Sequence, residues 1–136
     1  TRMHIPIFGN GDVNSPERAV EMRDVYGLDG AMVGRASIGN PWVFRQIKHY
    51  FETGTHMAPV GMTERIEAAR RHLKMAIDWK GEVLGVLETR RHYSTYFKGI
   101  PDFKPYRTKM VTSDHSVDVF NAFDEVEKVF GDYQFA

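Results

Sequence analysis

Cysteine is absent from the 136 residues, which excludes disulfides, thiolate-held metals and any thiol chemistry from the chain itself. Also missing is any apolar run near the roughly 18 residues of a membrane span, and no charged-then-apolar leader opens the chain. These absences predict a cytoplasmic protein without a membrane partner. Net charge is lacking too, since 18 Lys and Arg stand against 18 Asp and Glu. The 42% of residues that are apolar suffice for a real core without a staple, because a domain of roughly 100–150 residues buries well over half of its unfolded surface. Thr1, Arg2, Met3 and His4 run straight into an apolar stretch, as if the sequence began inside a domain.

The charge balance hides an uneven distribution. Residues 1–61 carry six basic and six acidic side chains, whereas residues 62–112 carry eleven basic against six acidic. Residues 113–136 reverse the excess, with Lys128 against six acids. A basic middle segment holding three tyrosines and a tryptophan suits an anionic polymer, and it equally suits solvated helix faces.

Two kinds of periodicity divide the chain. Ile5–Phe8 is a short apolar run ending at Gly9, the pattern of a buried strand entering a turn. Ser15-Pro16 supplies an N-cap and first-turn proline for a helix carrying Ala19, Val20, Met22 and Val25, with Gly27 to end it. Ala31–Val33 reads as a second strand stopping at Gly34. Asn40-Pro41 repeats the cap signal before a helix with Phe44, Ile47, Tyr50 and Phe51 on one face, ending at Gly54. Strand, helix, strand, helix indicates parallel βα units. From Thr63, read as a cap, the pattern is helical only. One helix has Ile66, Ala69, Leu73, Ala76 and Ile77 on a face and ends near Gly81. A second spans about Glu82–Lys98, with Leu84, Leu87, Tyr93 and Phe97 among its apolar positions. After a turn bracketed by Pro101 and Pro105, a short basic helix covers Tyr106–Val111. A last helix carries Val119, Phe120, Phe123, Val126 and Phe130. The predicted domains are therefore residues 1–58, α/β, and residues 59–136, all-α, parted by the loop with Gly54, Pro59 and Gly61. Two parallel strands cannot close a barrel, and their open edges call for cover by a missing part or by a second copy.

Each strand ends in a turn suited to an anion. Asn10-Gly11-Asp12 follows the first, where glycine lets the backbone turn and approach a ligand. Gly34-Arg35 follows the second, where arginine offers a fork for a phosphate. Either could be an ordinary turn, with Arg35 solvated or paired to an acid. Loops after neighbouring parallel strands lie side by side, and in β/α barrels the loops after the last two strands frequently form a phosphate site.

The runs Ile5-Pro6-Ile7-Phe8-Gly9-Asn10-Gly11-Asp12, Asp29-Gly30-Ala31-Met32-Val33-Gly34-Arg35 and Gly39-Asn40-Pro41-Trp42 resemble the end of the barrel of the tRNA-dihydrouridine synthases, most closely a bacterial branch. Arg90-Arg91-His92 with Tyr96-Phe97-Lys98-Gly99-Ile100-Pro101 is similar to a signature of that family's helical carboxyl-terminal domain. The resemblance implies the last two βα units of a TIM-type (β/α)8 barrel followed by a small helical bundle that binds tRNA. It implies a flavoprotein in which FMN carries hydride from NADPH to uridine, giving dihydrouridine. Asn10, Gly11 and Asp12 match the first FMN-phosphate loop, and Gly34 with Arg35 match the second. Asp12 is expected to accept from nearby backbone amides or to help position the phosphoribityl chain. The family's catalytic cysteine lies in the earlier half of the barrel, so this chain contains no catalytic residue and is expected to be inactive alone, binding FMN weakly or not at all.

In the predicted Glu82–Lys98 helix, Arg91 and Lys98 lie seven residues apart and so share a face within about 20°. Arg90 flanks them. These three are the candidate RNA contacts, with Lys104, Arg107 and Lys109 as weaker ones. Most of Tyr93, Tyr96, Phe97 and Trp79 are expected in the core rather than stacked on bases. His72 and His92 sit mid-helix among charges, and no histidine pair has partners at ligand spacing, so no metal site is predicted. Two other readings use the same residues: a helical RNA-binding or interaction module without a cofactor, and the end of another flavin-dependent barrel oxidoreductase.

Overall fold

The computed structural model describes residues 4–136. Its contacts divide the chain into two compact units, one running up to Ala58 and the other from Pro59 to Ala136. The division falls in the loop with Gly54, Pro59 and Gly61. No helix among the described residues is long and apolar enough to cross a membrane.

The first unit holds β1 (Phe8–Asn10), α1 (Pro16–Asp24), β2 (Gly30–Met32), a 3-10 turn (Arg35–Ser37) and α2 (Val43–Thr53). The strands pair in parallel, with Gly9 opposite Ala31. Asp29 fixes their entry: its carboxylate accepts from the Ile7 amide at 2.8 Å, and its own amide donates to the Ile7 carbonyl at 2.9 Å. Helix α1 begins as its sequence demands, with the Ser15 hydroxyl accepting from the Arg18 amide at 3.2 Å and Pro16 in the first turn. Its inner face, Ala19 and Met22, packs with Val13, and Leu28, Ala31, Val33 and Ile47 close around them.

The rest of this unit departs from expectation in one direction. Ile5, Ile7 and Phe8, read as a buried strand, are exposed, and the strand starts only at Phe8. Phe44 and Phe51 of α2 are likewise uncovered and line an apolar groove of about 340 Å³ with Leu28, Ala31 and Val33. The physical reason is shared. Two strands and two helices supply too few layers to cover both sheet faces and both helix stripes. Asn40 is not a helix cap; its carbonyl accepts from the Val43 amide in a turn before α2.

The second unit contains α3 (Met62–Lys80), α4 (Glu82–Tyr96), α5 (Lys104–Thr112) and α6 (Ser116–Phe130). Helix α3 starts one residue before Thr63, with Gly61 as its cap, and buries Ile66, Ala69 and Leu73 as the pattern requires. In α4 the expected stripe holds at Tyr93 and, just past the helix, at Phe97, but Leu84 and Leu87 are exposed, and Gly85, Val86, Thr89 and Tyr96 are buried instead. A Cβ on Gly85 would stand 2.8 Å from the Ile77 backbone, so glycine is what lets α4 approach α3 this closely. Thr89 completes the seam by donating to the Gly85 carbonyl at 2.9 Å and accepting from the Tyr93 hydroxyl at 3.0 Å. Burial in that seam pushes the Tyr93 phenol up to about 12.

Pro105 sits in the first turn of α5, so that helix opens at Lys104 rather than Tyr106. Helix α6 buries Val119, Phe123 and Val126. Phe123 meets the Tyr93 ring edge-on, with centroids 5.5 Å apart. Three carboxylates of α6 are partnered across the bundle, Asp124 and Glu127 with Arg70 and Glu125 with Lys109. Arg65 ties several backbone segments together. It donates to the Val60 carbonyl at 2.9 Å and the Tyr96 carbonyl at 3.0 Å, and its guanidinium lies 3.7 Å from the centre of the Phe135 ring. Partial burial holds its pKa below the usual arginine value.

Candidate functional site

Parallel pairing carries the chain out of β1 and β2 at the same edge, so the turns that follow meet. Asn10, Gly11 and Asp12 from the first turn and Gly34 and Arg35 from the second line one cleft of about 740 Å³, together with Val13, Asn14 and Ala36. All five residues expected from the sequence to anchor a phosphate are therefore brought together.

Asp12 adopts a left-handed backbone, φ 43°, which aspartate tolerates better than most residues. Its carboxylate accepts from the Arg35 guanidinium and so joins the two turns. Of this carboxylate, expected to accept from backbone amides or to help position the phosphoribityl chain, one oxygen is engaged by Arg35. Both side chains are well exposed, at 70% and 83%. An exposed pair of this kind contributes at most about 1 kcal/mol. The pair orients the guanidinium at the cleft while costing little to open. Nothing lies within 4 Å of where a Cβ on Gly34 would stand, so the second turn leaves its side of the cleft clear. A guanidinium fork and an unobstructed backbone can donate to a terminal phosphate, while the Asp12 carboxylate, an acceptor only, holds the guanidinium.

The second unit places the cationic candidates differently from one another. Arg91 is exposed on α4, and its Nε approaches His92 Nε2 at 3.4 Å. Arg90 turns into the bundle, donating to the Ser113 carbonyl at 2.8 Å and the Asp114 carboxylate at 2.9 Å. Lys98 is not on α4 at all, because the helix ends at Tyr96 and Lys98 lies in the turn beyond. The shared Arg91–Lys98 face is thereby overturned. The chain leaves the helix at Phe97, whose backbone has φ −113° and ψ 26°, and Gly99, at φ +88°, continues the turn.

Two aromatic expectations also divide. Tyr93, Tyr96 and Phe97 are buried, whereas Trp79 is 81% exposed beside Lys80. His72 and His92, which sit mid-helix among charges, pack edge to face across α3 and α4, with ring centroids 4.4 Å apart. His72 Nδ1 lies 3.3 Å from the Tyr96 hydroxyl. Burial, His72 and Arg91 push His92 down to about 4, and burial followed by Arg91 lowers His72.

The family described as Dihydrouridine synthase (Dus) matches residues 1–130. Similar proteins include a tRNA-dihydrouridine synthase B of Pseudomonas putida, 35% identical over 123 residues, which are 90% of this chain and 34% of that protein. A tRNA-dihydrouridine synthase B of Shewanella oneidensis is 41% identical over 92 residues, 68% of this chain and 29% of its own length. The chain thus spans about a third of the curated relatives that it matches.

Proposed function

The chain belongs to the dihydrouridine synthase family, and from that premise we propose that it is the carboxyl-terminal part of a flavin-dependent, cytoplasmic tRNA-dihydrouridine synthase. Residues 1–58 then form the last two βα units of a TIM-type barrel, and residues 59–136 a helical domain that contacts tRNA. The uncovered strand and helix faces of the first unit are where the rest of the barrel, or a second copy, would pack.

The observation that carries this reading is the meeting of the two glycine turns in one cleft, joined through Asp12 and Arg35. FMN, when bound, supplies hydride transfer from NADPH to the uridine ring. Arg35 would hold the phosphate through its fork, with Asn10, Gly11 and Gly34 bringing backbone against it. Asp12 would keep the guanidinium aimed before the phosphate arrives. Arg91 and Lys98 would contact the tRNA backbone, and Arg90 would support them by fixing the loop at Ser113 and Asp114. Lacking a cysteine, the 136 residues alone do not reduce uridine.

Titrating the labelled chain with FMN, riboflavin and inorganic phosphate tests the cleft. The amide signals of Gly11, Gly34 and Arg35 should move together with FMN and with phosphate, not with riboflavin, and Arg35→Gln should abolish the response. Riboflavin acting as FMN does, or Gly11 and Gly34 responding independently, overturns the assignment. Dihydrouridine formed by the pure chain with FMN and NADPH would refute the predicted inactivity.

A further inference from the structure

Helices α3 and α4 run antiparallel, turning at Gly81, and their companions cover only part of them. Arg70 of α3 reaches Asp124 and Glu127 of α6, and Arg90 of α4 reaches Ser113 and Asp114 between α5 and α6. Left in solvent toward the turn are Met75 and Trp79 of α3 and Val83, Leu84 and Leu87 of α4, each between 45% and 81% exposed. Helical spacing puts Met75 beside Trp79, and Leu87 beside both Val83 and Leu84. Lys80 links the two sets. Its ammonium stands 4.6 Å from the centre of the Trp79 ring and pairs with Glu88, the neighbour of Leu87 and one helical turn from Leu84.

Area and charge both fit a second copy of the same chain. At those exposures the five side chains offer roughly 500 Å² of apolar surface. A homodimer interface of ordinary size takes about 800 Å² from each partner, about 65% of it apolar, which is about 520 Å². Two ion pairs border the apolar residues, Lys74 with Asp78 at 2.8 Å and Lys80 with Glu88, so the charge they carry is balanced within each copy. A patch that meets itself across a two-fold axis needs such balance, because both sides bring the same charges. Arg91, exposed one turn past Leu87, marks its edge.

We propose that this face of the α3–α4 hairpin joins two copies of the chain as a two-fold dimer. Trp79 is the anchor, since a large ring carries much contact area on two rotatable bonds and such residues dominate the energy of interfaces. Met75 adds an unbranched side chain that adapts to the shape set against it. The contact depends neither on the uncovered strand and helix faces of the first unit nor on any cofactor or RNA.

Sedimentation equilibrium of the 136-residue chain from micromolar to millimolar concentration provides the test. The mass should climb with loading from 15.6 kDa toward twice that value. Trp79→Ser should raise the dimer Kd at least about 30-fold, the effect of losing one dominant contact. Trp79→Ser with Leu87→Ser should stay monomeric at every concentration. Both positions are exposed, so circular dichroism melts of these variants should match the parent. Phe44→Ser, on the uncovered stripe of α2, should leave the Kd in place. A Kd raised as much by Phe44→Ser as by Trp79→Ser, or by Phe44→Ser alone, would assign self-association to the first unit and overturn the proposal. A parent chain that stays monomeric throughout overturns it as well, and acrylamide quenching then names the occupant. The difference in quenching between the parent and Trp79→Phe isolates the Trp79 indole. Shielding of that indole in the monomer gives the face to another part of the same chain, and shielding only on addition of tRNA gives it to RNA.

Discussion

Mild acid should destabilise the helical unit before its carboxylates titrate, because two histidines are packed ring to ring between α3 and α4. His92 is pushed down to about 4, first by burial and then by His72 and Arg91, and His72 is lowered for related reasons. The neutral forms are favoured in the fold, so the unfolded chain binds more protons below its ordinary histidine pKa of about 6.5. Stability is therefore complete above that value and is lost as pH falls toward 4. For His92 alone, linkage between pH 7 and pH 5 gives an unscreened loss of ~1.8 kcal/mol. Both rings are only half-buried, and discounting for solvent leaves about 1 kcal/mol. That corresponds to a fall in Tm of about 4–8 °C for a unit of this size. Ordinary carboxylate pKa values lie below this window, so the histidines dominate it. Thermal melts of the parent and of a His72→Gln/His92→Gln variant at pH 7, 6 and 5 read the effect. The variant should lose most of the parent's dependence in that range. An identical dependence in both proteins would refute the reasoning.

Two further changes probe the α3–α4 seam. Gly85→Ala should destabilise the unit by about 1–2 kcal/mol in denaturant titration, because forcing α4 off the Ile77 backbone outweighs a helix-propensity gain of about 1 kcal/mol; in an isolated α4 peptide the same change should raise helicity. Thr89→Val keeps shape but leaves the buried Tyr93 hydroxyl without its acceptor, a loss of about 1–3 kcal/mol; full retention of stability would show that the hydroxyl finds another partner.

Local chemistry was legible where a single residue dictates it. Ser15-Pro16 announces α1, and the apolar spacing of α3 and α6 names Ile66, Leu73, Val119 and Phe123 as core. Helix α4 was illegible because its inner face is closed by a glycine and a threonine, while Leu84 and Leu87, the residues that look like core, face outward. The end of that helix at Tyr96 then moved Lys98 off the face shared with Arg91. In the first unit each turn was visible on its own as a glycine after an apolar run. The Asp12–Arg35 pair that joins them spans 23 positions of sequence, and only the parallel strand register brings such residues together.

Arg65 grips the carbonyl that precedes α3 and the ring that follows α6 with one guanidinium. The helical unit therefore opens and closes at one spot on its surface, as a ring binder does. Loss of Arg65 would therefore free the entry to α3 and the segment after α6 together.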